Sequence, residues 1–449
     1  MQESPAPDHS TRRYVLGVLV VVYTFNFIDR QILAILFEDI KRELQLSDSA
    51  LGLLSGFAFA MFYATLGIPI ARYADRANRR NVIAVSLALW SGMTVISGLV
   101  TNFWQLLAAR IGVGIGEAGC TPPANAILAD YYPPERRATA FGIYAMGIPL
   151  GILFGFLAGG WINEYFGWRW AFFVVGFPGL VLALIVRFTV REPVRGQVEQ
   201  RAAAATQPTL SETVRHLRGK RAFIHLAMGG GLTAFVGYSW VIWMPAFLMR
   251  SHGMSSGAVG TALGLIIGIA GGIGIVLGGY LADRVGQRDK RWAVWIVCVA
   301  IIATLPFAYG VFFATSSAHA LWFMIVPFLL GNFWQGTCLA QTQSLVGLRM
   351  RAVAAAVFLF IVNIIGLGAG PQFVGIVSDL LHARYGVDSL RYALFLASLF
   401  NIWAAVHFYF AGRVLPDELA AQAAEPSNGE LKGLTAPGLT SPGLQATPL

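Results

Sequence analysis

The sequence predicts an all-α membrane protein whose twelve transmembrane helices form two pseudo-symmetric bundles of six. The first observation is composition, since 56% of the 449 residues are apolar and only 12% are charged. Roughly a quarter of the residues of soluble proteins carry charge. The second observation is that apolar runs of about 20 residues, long enough to cross a bilayer, recur along the chain. The third is a motif of the first half that returns in the second. An ordinary soluble protein is excluded.

Twelve apolar runs separated by charged or turn-forming residues are the predicted spans. The runs cover, in order, 14–37, 49–71, 81–101, 104–130, 138–162, 168–190, 222–249, 257–282, 292–314, 319–347, 352–381 and 392–412. The first run is kept as a span because it contains Asp29 and Arg30 and lacks the small-residue cleavage site of a signal peptide.

The spans divide the chain into two bundles with polar segments around them. Residues 413–449 are rich in Pro, Gly, Ser and Ala without periodicity, so we expect a disordered tail. The predicted segments are a cytoplasmic N-terminal segment (1–13), an N-terminal six-helix bundle (14–190), a cytoplasmic linker (191–221), a C-terminal six-helix bundle (222–412) and a cytoplasmic tail (413–449).

The placement of basic residues predicts the topology. Of the 32 Lys and Arg residues, 23 fall on the side of the termini, five on the opposite side and four within spans. Cytoplasmic loops of membrane proteins carry such an excess of positive charge. Both termini are therefore predicted to be cytoplasmic, in the inner (plasma) membrane of a bacterium. The net charge of +9 is interpreted as topology rather than as nucleic-acid binding.

A charged motif follows the second span of each half. ARYADRANRR (71–80) matches GGYLADRVGQR (278–288). Parallel repeats of this kind are used by alternating-access transporters. A carboxylate among arginines can form a contact in one conformation only, whereas simple topology anchors would not require an Asp in both halves. The predicted cytoplasmic gate comprises Asp75, Arg76, Arg79, Arg80, Asp283 and Arg284.

Four charges lie in the middle of spans rather than near their ends and are candidates for function. A charge within the membrane is costly unless it is paired or hydrated. Asp29 and Arg30 lie in span 1, and Arg110 and Glu117 lie in span 4. The antiparallel course of these spans puts Asp29 and Arg110 at a similar depth, so we predict an ion pair between them. Glu117 lies two turns further along, roughly 10 Å away, nearer the midplane.

This arrangement suggests proton coupling. An arginine that moves between two carboxylates changes which of them holds a proton. Asp29 and Glu117, with Arg110 as their charged partner, are therefore predicted to couple protons to transport. The alternative is a fixed buried salt bridge that sets helix packing and does not titrate.

The second half offers a polar and aromatic wall in place of charges. Tyr238, Trp240 and Trp243 lie on span 7, and Asn332 and Gln335 lie on one face of span 10. Such a wall suits a substrate with an apolar body and a polar head.

Other chemistries have little support. GIGEAG (114–119) has the form of a dinucleotide motif, but it lies within a span and follows no strand. The three cysteines lie in apolar runs, and the seven histidines lack ligand spacing. We expect no cofactor, no metal and no enzyme activity. The glycine-rich spans 5, 8 and 11 indicate close helix packing, or packing that slides during a transport cycle.

The chain resembles the major facilitator superfamily in its six-plus-six spans and its G-x-L-A-D-R-x-G-R-R-type motifs, although Ala71 and Asn78 replace two usual glycines in the first copy. NFIDR (26–30) and RIGVGIGEA (110–118) resemble the Spinster branch. The resemblance implies the major facilitator fold and alternation between inward-open and outward-open states. It also implies a cavity lined by helices 1, 4, 7 and 10.

The same resemblance implies a substrate class. Eukaryotic Spinster members move lysolipids and sphingosine-1-phosphate. Carried over, Asp29, Arg110 and Glu117 would be the coupling and head-group residues, with Arg30 beside them and Arg110 as the partner of an anionic head group. We expect a monomeric secondary active transporter, coupled to protons, for an amphipathic or lysolipid-like anion. The alternatives are a proton-coupled symporter of a small organic or sugar acid, and a channel or lipid-binding membrane protein.

Overall fold

The computed structural model describes residues 9–74, 76–193 and 209–424. Regular structure within these residues is helical, which confirms the all-α class. Ten helical runs are long and apolar enough to cross a membrane when Arg351–Ala424 counts as one. That run divides at Gly386–Asp388 into two segments. One more span, 103–131, is interrupted between Ala118 and Thr121. The described residues therefore form twelve membrane-crossing segments.

The segments, α1 to α12, follow the predicted order. They are α1 (His9–Ile35), α2 (Asp48–Ala74), α3 (Arg79–Ser97), α4 (Phe103–Ala118 and Thr121–Tyr131), α5 (Pro134–Ala145 and Gly147–Phe166), α6 (Trp168–Thr189), α7 (Arg221–His252), α8 (Ser256–Gly286), α9 (Trp292–Phe313), α10 (Ser317–Leu330 and Trp334–Ser344), α11 (Arg351–Val362, Asn363–Ala369 and Gly370–Tyr385) and α12 (Ser389–Ser398 and Phe400–Ala424). Short helices lie at Phe37–Leu44, Leu210–Arg218, Leu348–Met350 and Gly386–Asp388.

Two features of the helices follow directly from the sequence. The first part of α4 ends at Ala118, and the second part begins at Thr121 with two prolines in its first turn. Proline tolerates a helix start but breaks a helix interior, so the break at this position is expected. The second helix of each half carries a five-residue π-helical turn, at Leu53–Phe57 in α2 and Ile266–Ala270 in α8. The internal repeat therefore extends to local backbone geometry.

The ends of the predicted segments require correction. Helix α1 begins at His9 rather than at residue 14, and α12 continues to Ala424. The prediction of disorder from 413 is wrong for 413–424, because Leu415 is buried and Glu418 accepts a 2.7 Å hydrogen bond from the Arg221 backbone N–H. Residues 425–449 lie outside the described residues.

The two bundles, α1–α6 and α7–α12, contact each other at the helix ends remote from the chain termini, called the outer ends below. Helices α5 and α8 cross closely there, with Ser256 Oγ donating to the Gly160 carbonyl at 3.0 Å. Helix α2 lies against α11, and a Cβ on Gly56 would stand 2.9 Å from the Gly368 carbonyl oxygen. The conformation is closed at the outer ends.

Candidate functional site

An ion pair joins α1 to α4 in the middle of the first bundle. Arg30 Nε donates to Glu117 Oε2 at 2.6 Å. The Arg30 side chain is 14% exposed and the Glu117 side chain is 0% exposed. The pair is therefore held away from bulk solvent. The attraction between opposite charges is stronger in the protein interior than in water.

Aromatic rings surround the two arginines of this site. The Arg30 guanidinium carbon lies 4.9 Å from the Phe27 ring centroid, 5.3 Å from that of Phe59 and 4.7 Å from that of Tyr63. The Arg110 guanidinium carbon lies 5.6 Å from the Phe59 centroid. Cation–π contacts stabilise a desolvated guanidinium by about 2 kcal/mol each at best. The rings thus accommodate positive charge without neutralising it.

Asp29 and Arg110 lie in the same region, but the predicted ion pair between them is not formed. Asp29 is fully buried and makes no hydrogen bond of normal geometry among the described residues, although the Thr94 hydroxyl and the Trp90 indole lie close enough to act on its carboxylate as donors. Arg110 Nε and Nη1 likewise have none in that part of the chain. Successive residues of a helix point about 100° apart, so Arg30 rather than Asp29 faces Glu117. Asp29 and Arg110 still act on each other electrostatically.

The aromatic residues predicted on α7 have different surroundings. Tyr238 is partly buried and acts electrostatically on Arg30 across the two bundles. Trp240 is buried and donates through Nε1 to Ser398 Oγ at 2.9 Å. Trp243 is buried and donates to the Pro371 carbonyl at 2.9 Å. In this conformation Tyr238 belongs to the central site, whereas both indoles are bound within the second bundle.

Asn332 lies in the break between the two parts of α10, and Gln335 lies in the first turn of the second part. Gln335 Nε2 donates to Asn332 Oδ1 at 2.8 Å, and Asn332 Nδ2 donates to the Phe328 carbonyl at 2.7 Å. Both side chains are partly buried. They form a polar patch on the second bundle that is separate from the ion pair of Arg30.

Within the predicted cytoplasmic gate, Arg79 is the best-connected side chain. It donates to Asp130 Oδ2 at 2.6 Å and to Glu192 Oε1 at 2.8 Å. The Arg80 backbone N–H donates to Glu192 Oε2 at 2.8 Å. These bonds tie α3 to α4 and to the end of α6, so in this conformation Arg79 binds within its own bundle.

The second copy of the motif is less engaged. Arg284 Nη1 donates to the Tyr280 hydroxyl at 2.8 Å, one turn back on α8, and Asp283 is exposed. Arg76 is also exposed, and Asp75 lies outside the described residues. The structure thus holds the two copies at exposed helix ends of separate bundles.

A buried network at the outer ends, which the sequence reasoning missed, crosses the two bundles. Arg250 of α7 bonds Asp48 of α2 at 2.7 and 2.8 Å, and bonds Glu38 at 2.7 and 2.8 Å. Lys41 Nζ donates to Asp48 at 2.6 Å. Asp379 of α11 accepts from the Asp48 backbone N–H at 3.0 Å. These five residues are called the outer latch.

The outer latch could have been found from charge placement. Arg250 and Lys41 belong to the few basic residues predicted outside, and acidic residues flank Lys41 in sequence. A cation that departs from the topology rule, near carboxylates, indicates a specific partner. The positive-inside rule gives no role to basic residues on the outer side, so Arg250 and Lys41 were not predicted as site residues.

Among the described residues no group of three or more His, Cys, Asp or Glu side chains could hold a metal ion. Two histidines that are distant in sequence do meet, with His225 Nδ1 3.0 Å from His407 Nδ1.

Residues 19–371 match the family model described as Major Facilitator Superfamily. The chain belongs to the major facilitator superfamily. It is 37% identical to an MFS-type efflux pump of Mycolicibacterium smegmatis, over 90% of this chain and 94% of that protein. It is 26% identical to protein spinster homolog 1 of Xenopus tropicalis, over 89% and 83%.

A solved structure agrees with these relatives. The chain superposes with a TM-score of 0.85 on the crystal structure of a bacterial homolog of the human lysosomal transporter Spinster, in an inward-facing and unoccupied conformation. The identity is 32%, over 92% of this chain and 99% of that one. The protein is therefore a multi-pass major facilitator transporter of the Spinster branch and not an enzyme.

Proposed function

We propose that this transporter moves an amphipathic, lysolipid-like anion by alternating access and couples the movement to protons. The observation that carries the proposal is the buried charge cluster, in which Arg30 holds Glu117 while Asp29 and Arg110, both buried, form no ion pair among the described residues. A fixed salt bridge between Arg30 and Glu117 gives no reason for Asp29 and Arg110 to be buried beside it.

The cluster supports a specific sequence of events. A buried ionised carboxylate without an ion-pair partner is costly, so in this scheme Asp29 carries a proton before the anion binds. Arg110 has donors free for an anionic head group. If the anionic head group also binds Arg30, Glu117 loses its counter-ion. The Glu117 carboxylate then takes up a proton. Anion binding and proton uptake are thereby coupled.

The second bundle supplies the remainder of the substrate site. Tyr238 faces the charge cluster, and Asn332 and Gln335 form the polar patch on α10. The apolar body of the substrate would lie against these helices. We assign the contact that replaces the outer latch in the alternate conformation to the cytoplasmic gate. When the outer latch opens, the exposed gate residues of the two bundles would meet, namely Arg76, Asp283 and Arg284.

Transport into proteoliposomes tests this function. A lysophosphatidic acid should be transported, and a protonophore should abolish the pH-driven part of the uptake. If gluconate and other small organic acids are transported and lysolipids are not, the substrate proposal fails and the organic-acid symporter replaces it. Flux that neither saturates nor depends on the proton gradient would indicate a channel.

Export of an amphipathic compound is a second candidate, and the 37% identity to a named efflux pump favours it. Export driven by inward proton movement requires substrate and protons to displace each other. Adding substrate to lightly buffered protein with a pH indicator distinguishes the two schemes. Proton uptake supports the coupling described for Glu117, whereas proton release supports export by exchange.

A further inference from the structure

A cavity lies at the outer ends, away from the central charge cluster. Its volume is about 620 Å³, within the range of small-molecule sites. Both bundles line it, through the short helix Phe37–Leu44, the end of α5 and the turn between α7 and α8. The lining residues used below are Glu38, Asn163, Glu164, Leu46, Met249 and Met254.

Hydrogen-bond acceptors are in surplus on the walls of this cavity. Glu164 is exposed and uses Oε2 to accept from the Gly257 backbone N–H at 2.7 Å. Asn163 is only 7% exposed, and its Oδ1 has no hydrogen-bond partner among the described residues. The wall carries three carboxylates, Glu38, Asp39 and Glu164, against two cations. Lys41 pairs with Asp48 and Arg42 with Asp39, while Arg250 contacts Glu38 through Oε1. A ligand that fits must therefore bring donors and positive charge.

One part of the lining is apolar and adaptable, beside polar residues such as Gln45 and Ser256. Leu46, Met249 and Met254 contribute apolar side chains to the wall. Methionine side chains adjust to ligands of irregular shape. A hydrated metal ion would use neither this surface nor most of the volume. The combination favours an organic cation with an alkyl part.

We propose that this cavity binds organic amines from the outer solution. The ammonium group donates to Glu164, Glu38 and Asn163, and the alkyl chain lies on Met249 and Met254. Because both bundles line the site, it is complete only when the outer ends are closed. A bound amine therefore holds the transporter in this conformation and slows its cycle.

Thermal stability of the purified protein tests the site, with 1,6-diaminohexane as the probe and 1-hexanol as the neutral comparison. The diamine should raise the melting temperature with a saturable dose dependence, and the alcohol should not. Glu164→Gln keeps the shape and removes the charge, so it should weaken diamine binding about tenfold. Asp388 lies at the outer end of the second bundle and does not line the cavity. Asp388→Asn should therefore leave binding unchanged.

The conformational part of the proposal has its own measurement. Spin labels at Leu99→Cys and Val387→Cys, both exposed at the outer ends of opposite bundles, are introduced with Cys298→Ala. Diamine should shift their distance distribution toward the closed form. Equal stabilisation by hexanol, equal binding by Glu164→Gln, or displacement of the diamine by Mg²⁺ at similar concentration would each overturn the proposal. An unchanged distance distribution would overturn the conformational part.

Discussion

Replacing Arg250 by methionine is predicted to open the outer ends of the transporter. The substitution removes four nitrogen–oxygen contacts of 2.7–2.8 Å and leaves the carboxylates of Asp48 and Glu38 without their shared cation. Asp48 is only 3% exposed in its side chain. Removing one partner of a buried ion pair costs about 3–5 kcal/mol.

The magnitude of the shift follows from the exposure of the two carboxylates. The Glu38 side chain is 25% exposed, so solvent screens much of its loss and the Asp48 contact dominates. Asp48 keeps Lys41 and the Ser378 hydroxyl as donors, so we take the lower end of that range, about 3 kcal/mol, present only when the outer ends are closed. At about 1.4 kcal/mol per factor of ten, the ratio of outer-open to outer-closed molecules rises roughly a hundredfold.

Spin labels at Leu99→Cys and Val387→Cys report this ratio as a distance distribution. Arg42→Met is the matched control, because the Arg42 side chain is 80% exposed and its ion pair contributes at most about 1 kcal/mol. Asp48→Asn should shift the distribution in the same direction as Arg250→Met. If Arg250→Met folds and its distribution matches that of the control, the outer latch does not hold the bundles together.

Two further substitutions test the packing and the inner contacts. Gly56→Ala places a Cβ 2.9 Å from the Gly368 carbonyl oxygen and should favour the outer-open form in the same label measurement, whereas Gly67→Ala, with no atom within 4 Å of its Cβ, should not. Arg79→Gln breaks bonds within one bundle, including the 2.6 Å bond to Asp130. It should lower the melting temperature, at a cost of about 2 kcal/mol, with the label distances unchanged; a clear distance change would instead show that Arg79 gates in this state.

The fold was predictable because hydrophobic burial in a bilayer requires long uninterrupted apolar helices. The break before Thr121 was visible in its two prolines. The continuation of α12 to Ala424 was not, because its stability depends on a tertiary contact: Glu418 caps the start of α7. A composition rich in Ala and Pro gives no sign of that contact, so the predicted tail began too early.

The members of the central site were predicted better than their pairing. Intramembrane charges are rare, which singled out all four charged residues. Depth along two helices suggested Asp29 with Arg110, but rotation about each helix decides which neighbours face each other. The structure pairs Arg30 with Glu117 instead. Rotation depends on packing of the whole bundle, which a single sequence does not specify.

The outer latch illustrates a different limit. Its residues come from segments some 200 and 330 positions apart, since Asp48 bonds Arg250 through its carboxylate and Asp379 through its backbone N–H. Each segment alone resembles a short polar loop. Only the closure of the two bundles brings these loops together.

Proton-driven transport by Asp29→Asn and Glu117→Gln in proteoliposomes tests the central claim most directly. Both changes keep side-chain shape and remove a titratable carboxylate. We expect each to reduce pH-driven uptake at least about tenfold while substrate exchange at equal pH continues, because exchange needs no net proton movement. Glu212→Gln, in the linker helix, is the control. If both variants keep full pH-driven uptake, the cluster is a fixed salt bridge that sets helix packing, and the coupling mechanism is contradicted.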